Sequence, residues 1–377
     1  MGAKMDPLST TAIEGFLPDG PIWLDGGVPD SALALGHLER RLDAAAAELA
    51  LDEEQRLTEL QRAQMRALHQ ALVRSIEADL RLRLARRLER DDAPEELLAA
   101  LDAAHVEIAL PLIRLPGKGD LALVELLLRR VDAHRLALAL GQDTHRAAGV
   151  VQQLLDLADP AIAEATMAMM IADSRSRDAF GEPQLDGVDL PEILRRRLVW
   201  KIAAALRTYM VRRHGMRAER ADAHVTAIGG AYLAEHQPVP GVEAAAATLV
   251  ALLDEREMLD DELIMQALED GLLPLFAAGL ALRGAIDGAT VWAMVADPSA
   301  WMVATLLKAI GCQREPAVTM LWRLGLAHGT AEDRLIERSE AFDALNEGRA
   351  HDALGIWRSD RAYRRGVAEL GERDYLP

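Results

Sequence analysis

The period of the apolar residues most narrows what this chain can fold into. From Ser31 to Leu370 they return every three or four positions, and nowhere do Val, Ile, Thr and aromatic residues alternate between hairpin turns. That period buries one stripe of a helix, whereas a half-buried strand needs a period of two. The expected fold class is all-α. Half of the 377 residues are hydrophobic, which gives enough apolar surface to offset chain ordering and excludes a mainly disordered protein. The length suits two or three domain-sized units or one long repeat array.

Between about Leu57 and Ile171 the helical units resemble one another. Four turn-then-helix starts, at Asp79, His105, Ala133 and Pro160, are spaced 26, 28 and 27 residues apart. A unit of two short helices cannot bury its own apolar face, so it must stack on the next. The pattern predicts a HEAT-like α-solenoid, in two helical halves. Residues 1–30, rich in Pro and Gly, form a flexible or docked N-terminal arm, with Phe16, Ile22 and Trp23 as the docking side chains. Residues 31–172 make the N-terminal half, 173–190 a polar linker or long loop, and 191–377 the C-terminal half. The strongest helix opens at Asp189 and Pro191 and closes at Gly215, a C-cap position. Later helices are expected over 218–236, 242–256, 260–282, 287–296, 299–310, 314–326, 331–346 and 351–370.

Charge excludes some partners. With 42 Lys plus Arg against 60 Asp plus Glu the net charge is −18, which repels phosphate backbones and argues against general nucleic-acid binding. No run of eighteen apolar residues is present, so no membrane span is expected. Met1 to Phe16 has neither a basic start with an apolar run nor a small-residue cleavage site, and Asp6 stands where myristoylation needs Ser or Thr. Met1–Lys4 reads as a cloning remnant with Met5 the natural start. The single cysteine, Cys312, excludes an internal disulfide and a Cys-based zinc site, as a reducing cytoplasm would permit.

Catalytic patterns are weak. Gly117-Lys118-Gly119-Asp120 lacks the spacing and the preceding strand of a phosphate-cradling loop, and reads as an inter-helix turn. Neither His134 with His145 nor His214 with His224 has the one-turn spacing of a metalloprotease helix. His69 sits mid-helix like a phospho-acceptor, but Gln70 follows where an acidic residue is usual, so it reads as an exposed helical histidine. No Gly-x-Ser-x-Gly elbow is present, and Cys312 beside Gly311 reads as a small helix-end residue. The acidic pairs Glu53-Glu54, Asp91-Asp92 and Asp260-Asp261-Glu262 sit at helix ends, where the dipole favours them at starts. Trp292, Trp301 and Trp322 suit core packing. No catalytic residue, metal or cofactor is assigned.

Two Arg clusters remain. One is Arg81, Arg83, Arg86, Arg87 and Arg90; the other surrounds the long helix, with Arg195, Arg196, Lys201, Arg207, Arg212 and Arg213 as candidate binding residues. Clustered cations set up a local positive field even in an acidic chain. The bland alternative is a solvated face tied by i,i+4 pairs such as Glu77 with Arg81.

Several segments resemble one bacterial family. They are Ile108-Ala109-Leu110-Pro111-Leu112-Ile113-Arg114, His134-Arg135-Leu136-Ala137, Leu198 through Arg207, and Asp297-Pro298-Ser299. In order and spacing they are similar to the domain of unknown function 2336, over about Ala45 to Gly329. The resemblance implies a helical, HEAT-like fold and supplies no catalytic residues. The expected function is a non-enzymatic, cytoplasmic protein–protein interaction or scaffold protein of bacterial signalling, with a protein partner. The alternative is a sensor of a nucleotide or other phosphate-bearing ligand, gripped by the Arg-rich helix faces.

Overall fold

Thr58 opens the first helix. In the computed structural model, which describes residues 57–103, 106–113, 120–141, 149–235 and 239–371, its hydroxyl accepts the Gln61 N–H at 3.2 Å while the Gln61 carboxamide accepts the Thr58 N–H at 3.2 Å. This capping box satisfies two orphan donors. Helix α1 then runs unbroken over Glu59–Arg90, and its stripe of Met65, Leu68, Leu72, Ile76, Leu80, Leu84 and Leu88 is buried. It stops at Asp91, with Asp92 left-handed at φ 48° and Pro94 just beyond.

Next come α2 (Glu95–Asp102), α3 (Leu121–Gly141), α4 (Val150–Leu155), α5 (Pro160–Ser174), α6 (Glu192–His214) and α7 (Ala218–Glu235). The series closes with α8 (Val242–Glu255), α9 (Asp261–Glu269), α10 (Leu273–Gly284), α11 (Gly288–Val295), α12 (Trp301–Ala309), α13 (Arg314–Ala327), α14 (Glu332–Ala344), α15 (Glu347–Trp357) and α16 (Arg361–Gly371). Among the described residues the only pairing of strand type is an isolated bridge between Arg177 and Pro183. The chain is all-α.

The expected repeat does not survive in this register. Asp79 and Ala133 lie inside α1 and α3 rather than at turns, whereas Pro160 does begin a helix. Asp79 is tolerated mid-helix because Arg83, one turn on, pairs with it at 2.7 Å. His105 and the arm at 1–30 lie outside the described residues. The helix expected over 260–282 is two helices, α9 and α10, because Gly271 turns left-handed at φ 71°. The last expected helix also divides, into α15 and α16, where the Asp360 carboxylate caps the Ala362 N–H at 2.7 Å.

Apolar side chains gather into two cores that do not follow sequence order. The first joins α1, α2 and the front of α3 to α6 and α7. The second takes the end of α3, at Leu136 and Leu140, with α4, α5 and most of α8 to α15. At its centre is α12, whose residues Trp301 to Leu307 are all buried, as a helix apolar all round must be. Fully burying each such Leu or Met stabilises by roughly 1.5–3 kcal/mol.

Residues 173–190 are a folded loop. The Asp178 N–H reaches the Glu182 carbonyl at 2.8 Å and the Gln184 N–H reaches the Ser176 carbonyl at 2.7 Å, closing a short hairpin. Polar composition suggested a linker, yet Leu185 and Leu190 plug the first core. Gly187 allows this docking, since a Cβ there would stand 2.6 Å from the Tyr232 hydroxyl and 3.2 Å from Ile76. Gly187→Ala is expected to destabilise by about 1–3 kcal/mol, the usual cost of overpacking. Urea denaturation measures it, and an unchanged midpoint would contradict the tight docking.

Candidate functional site

The six cations expected to bind ligand are dispersed around α6. At about 100° per residue, Arg195 and Arg196 already leave the helix on different sides. Arg195 is 3% exposed, and its Nε and Nη1 have no protein acceptor. Arg196 is exposed. Lys201 donates to Asp120 at 2.9 Å, and Arg197 pairs with the same carboxylate at 2.7 Å. Arg207 is tied to Asp222 of α7, which raises the Arg207 pKa and lowers that of Asp222. Arg212 and Arg213 project from the last turn, where the helix dipole favours cations. Asp120 and Asp222 thus neutralise two of the six.

The other cluster is largely structural. Glu77 and Arg81, expected as an exposed pair, are both buried and stand 3.5 Å apart. Arg81 donates to the carbonyls of Leu101 at 2.8 Å, Ala103 at 2.8 Å and Val106 at 2.8 Å, covering the free C-terminal carbonyls of α2. Glu77 accepts the N–H groups of Ile108 at 3.2 Å and Ala109 at 3.1 Å. The pair therefore pins the 100–109 segment to α1. Arg83 bridges Asp79 and Glu235, and Arg87 donates to His224 at 3.2 Å.

His69 is 2% exposed, so the expectation of a surface histidine is overturned. Its position on the stripe between Met65 and Val73 turns it into the first core. Burial, and then the Lys201 ammonium, push its pKa from the ordinary 6.5 to about 4. A neutral, enclosed imidazole is a poor phospho-acceptor.

A cleft opens where α3 passes from one core to the other. Arg130 and His134 line it from α3, Asp173, Ser176 and Arg177 from the end of α5 and the loop after it, and Glu243 from the start of α8. Leu273, Pro274 and Trp292 complete its wall. Its volume of about 30 Å³ holds two or three water-sized groups and no whole metabolite. Arg130 is 8% exposed, and no described residue accepts from its guanidinium. Asp173 and Glu243 are already paired, with Arg177 at 3.1 Å and Arg129 at 3.4 Å. Burial lowers the His134 pKa, with Glu182 opposing and Arg177 reinforcing. Sequence reasoning missed this cleft; the available signal was the polar run Arg129-Arg130-Val131-Asp132-Ala133-His134 inside an otherwise apolar helix.

On the outer face of α5, Met167, Met170 and Ile171 are 49%, 37% and 55% exposed. The i, i+3, i+4 spacing puts them side by side. The hairpin after α5 carries Phe180, 91% exposed, held out by Asp178, whose carboxylate accepts the N–H groups of Phe180 at 2.8 Å and Glu182 at 2.9 Å. Elsewhere Trp292 and Trp301 are buried in the second core, with Trp322 half-buried. Asp260 is the N-cap of α9 and accepts the Leu263 N–H at 2.8 Å. Among the described residues no three His, Cys, Asp or Glu side chains converge as metal ligands, and no helix is long and apolar enough to cross a membrane.

The family described as "Uncharacterised protein conserved in bacteria (DUF2336)" matches residues 119–355, from the threshold of α3 into α15. The chain belongs to that family. The match starts after the 108–114 segment and extends past Gly329, so it lies further along the chain than the resemblance suggested. No curated protein and no solved structure matches.

Two outcomes test these environments. The unfolded chain protonates His69 from about pH 6.5 downward and the folded one only near pH 4, so acid favours unfolding through that window. His69→Gln should lose about 3 kcal/mol less stability than the parent between pH 7 and pH 4; parallel pH profiles would contradict it. Cys312, buried and pushed up to about 12 by desolvation and then Asp261, should resist a thiol reagent at pH 8 until the protein is denatured. Rapid native labelling would refute that environment.

Proposed function

We propose that the protein is a non-enzymatic, cytoplasmic interaction module with a HEAT-like stack of helices, serving as a scaffold in bacterial signalling. The observation that supports it best is the exposed apolar stripe of Met167, Met170 and Ile171, together with the exposed Phe180 on the hairpin that follows α5. Methionine side chains adapt to varied apolar surfaces, and a patch rimmed by charge is the usual mark of an interaction site. An amphipathic helix of a partner protein is the occupant that this spacing suits. The HEAT-like character rests on the late helices, where α9 with α10, α11 with α12 and α13 with α14 pack as successive neighbours.

The sensor reading draws on the same α6 cations named above. It is the weaker one because Asp120 and Asp222 already occupy Lys201 and Arg207.

Affinity capture from the native bacterium, with the parent and a Met167→Asp, Ile171→Asp variant, tests the proposal. A stoichiometric protein partner should be retained by the parent and lost, at least tenfold, by a variant whose circular dichroism is unchanged. Recovery of no such partner, or equal recovery with both, would refute it.

A further inference from the structure

The cleft beside α3 has a feature that neither its packing nor the proposed interaction role requires. An arginine residue more than nine-tenths buried normally ties its guanidinium to a carboxylate or several carbonyls. Arg81, buried to the same degree, meets four carbonyls. Arg130 meets none among the described residues. The two acids of the lining are already matched, Asp173 with Arg177 and Glu243 with Arg129, and neither forms an ion pair with Arg130. Asp178 and Glu182, which also act on His134, lie on the exposed hairpin, where Asp178 is occupied by backbone N–H groups.

Two helices begin at the same wall. Val242 starts α8 and Leu273 starts α10, and neither helix has a side-chain N-cap. Their first-turn N–H groups and positive dipole ends favour an anion there. The Ser176 hydroxyl, in a lining residue 8% exposed, adds a further donor.

We propose that this cleft binds a single oxyanion group, a phosphate or a carboxylate of a small molecule, with Arg130 as its anchor and Ser176 and the starts of α8 and α10 as supporting donors. The charge and the donors set the chemical class. The volume of about 30 Å³ sets the size, since one oxyanion fits and the rest of a larger ligand must stay outside. The site is independent of the apolar stripe on α5, so either assignment can fail without the other.

The test uses the full chain with inorganic phosphate and with acetate, each against chloride at equal ionic strength, read by thermal unfolding and by calorimetric titration. At least one of the two anions should raise Tm with a saturating dependence on concentration, and which one does so identifies the group. Arg130→Gln should weaken that binding at least tenfold. Because a buried substitution can impair folding, Ser176→Asp provides a second variant. It keeps Arg130 and places a carboxylate in the cleft, so it should abolish the response. Arg196→Gln, on the exposed side of α6, should retain it. Absence of a saturating rise with both anions, or a parental response in either folded cleft variant, would overturn the proposal.

Discussion

Helix α3 has to satisfy two apolar cores with one surface, and the arrangement of the protein depends on its doing so. Its front half, through Leu127 and Val131, belongs to the core shared with α1, α6 and α7. Its last turns, at Leu136 and Leu140, belong to the core around α12. Between them lie Arg130, Asp132, His134 and Arg135, which no single apolar environment would accept. Asp132, 1% exposed, is accepted because Gln61 of α1 donates to it at 2.9 Å. Arg135 reaches across to the Ala327 carbonyl of α13 at 3.4 Å. The crossing point is therefore polar by necessity, and the cleft is its consequence.

Buried polar groups elsewhere show how the fold meets the same demand by different means. Glu77 and Arg81 satisfy six backbone groups at the 100–109 segment besides each other, an arrangement that is costly to break from either side. Arg364, 3% exposed, donates to the Trp357 carbonyl at 2.8 Å and to Asp287 at 2.6 Å, tying α16 to the start of α11. By contrast, the guanidinium of Arg130 has no acceptor among the described residues, and the Nε and Nη1 of Arg195 are among several buried donors without one. Arg195 is enclosed near Tyr232, whereas Arg130 faces a cleft, and that difference separates an internal packing feature from a site.

Much of the helical order was legible because local chemistry determines it. Pro191 and Gly215 bracket α6 almost to the residue, Gly215 being left-handed at φ 64°. Asp159 with Pro160 starts α5 as an N-cap and first-turn proline should, the carboxylate accepting the Ala161 N–H at 2.9 Å. What the sequence concealed was non-local. An acidic residue such as Asp79 looks like a turn until Arg83 and the continuity of the stripe are weighed together. Residues 173–190 look like a linker because Leu185 and Leu190 reveal their role only against Tyr232 and Ile76. The α6 cations were visible as a cluster, but their partners Asp120 and Asp222 come from other segments. Arg130 was hidden in plain composition, one arginine among many in an Ala-Leu-Arg chain.

If α3 truly belongs to both cores, loosening one must loosen the other. Hydrogen exchange followed by mass spectrometry on Leu127→Ala, which opens a cavity in the first core, measures this at the slowest amides. The account predicts that protection in α12, which lies wholly within the second core, falls by the same factor as protection in α6. Loss confined to α1, α6 and α7, with α12 unchanged, would contradict it.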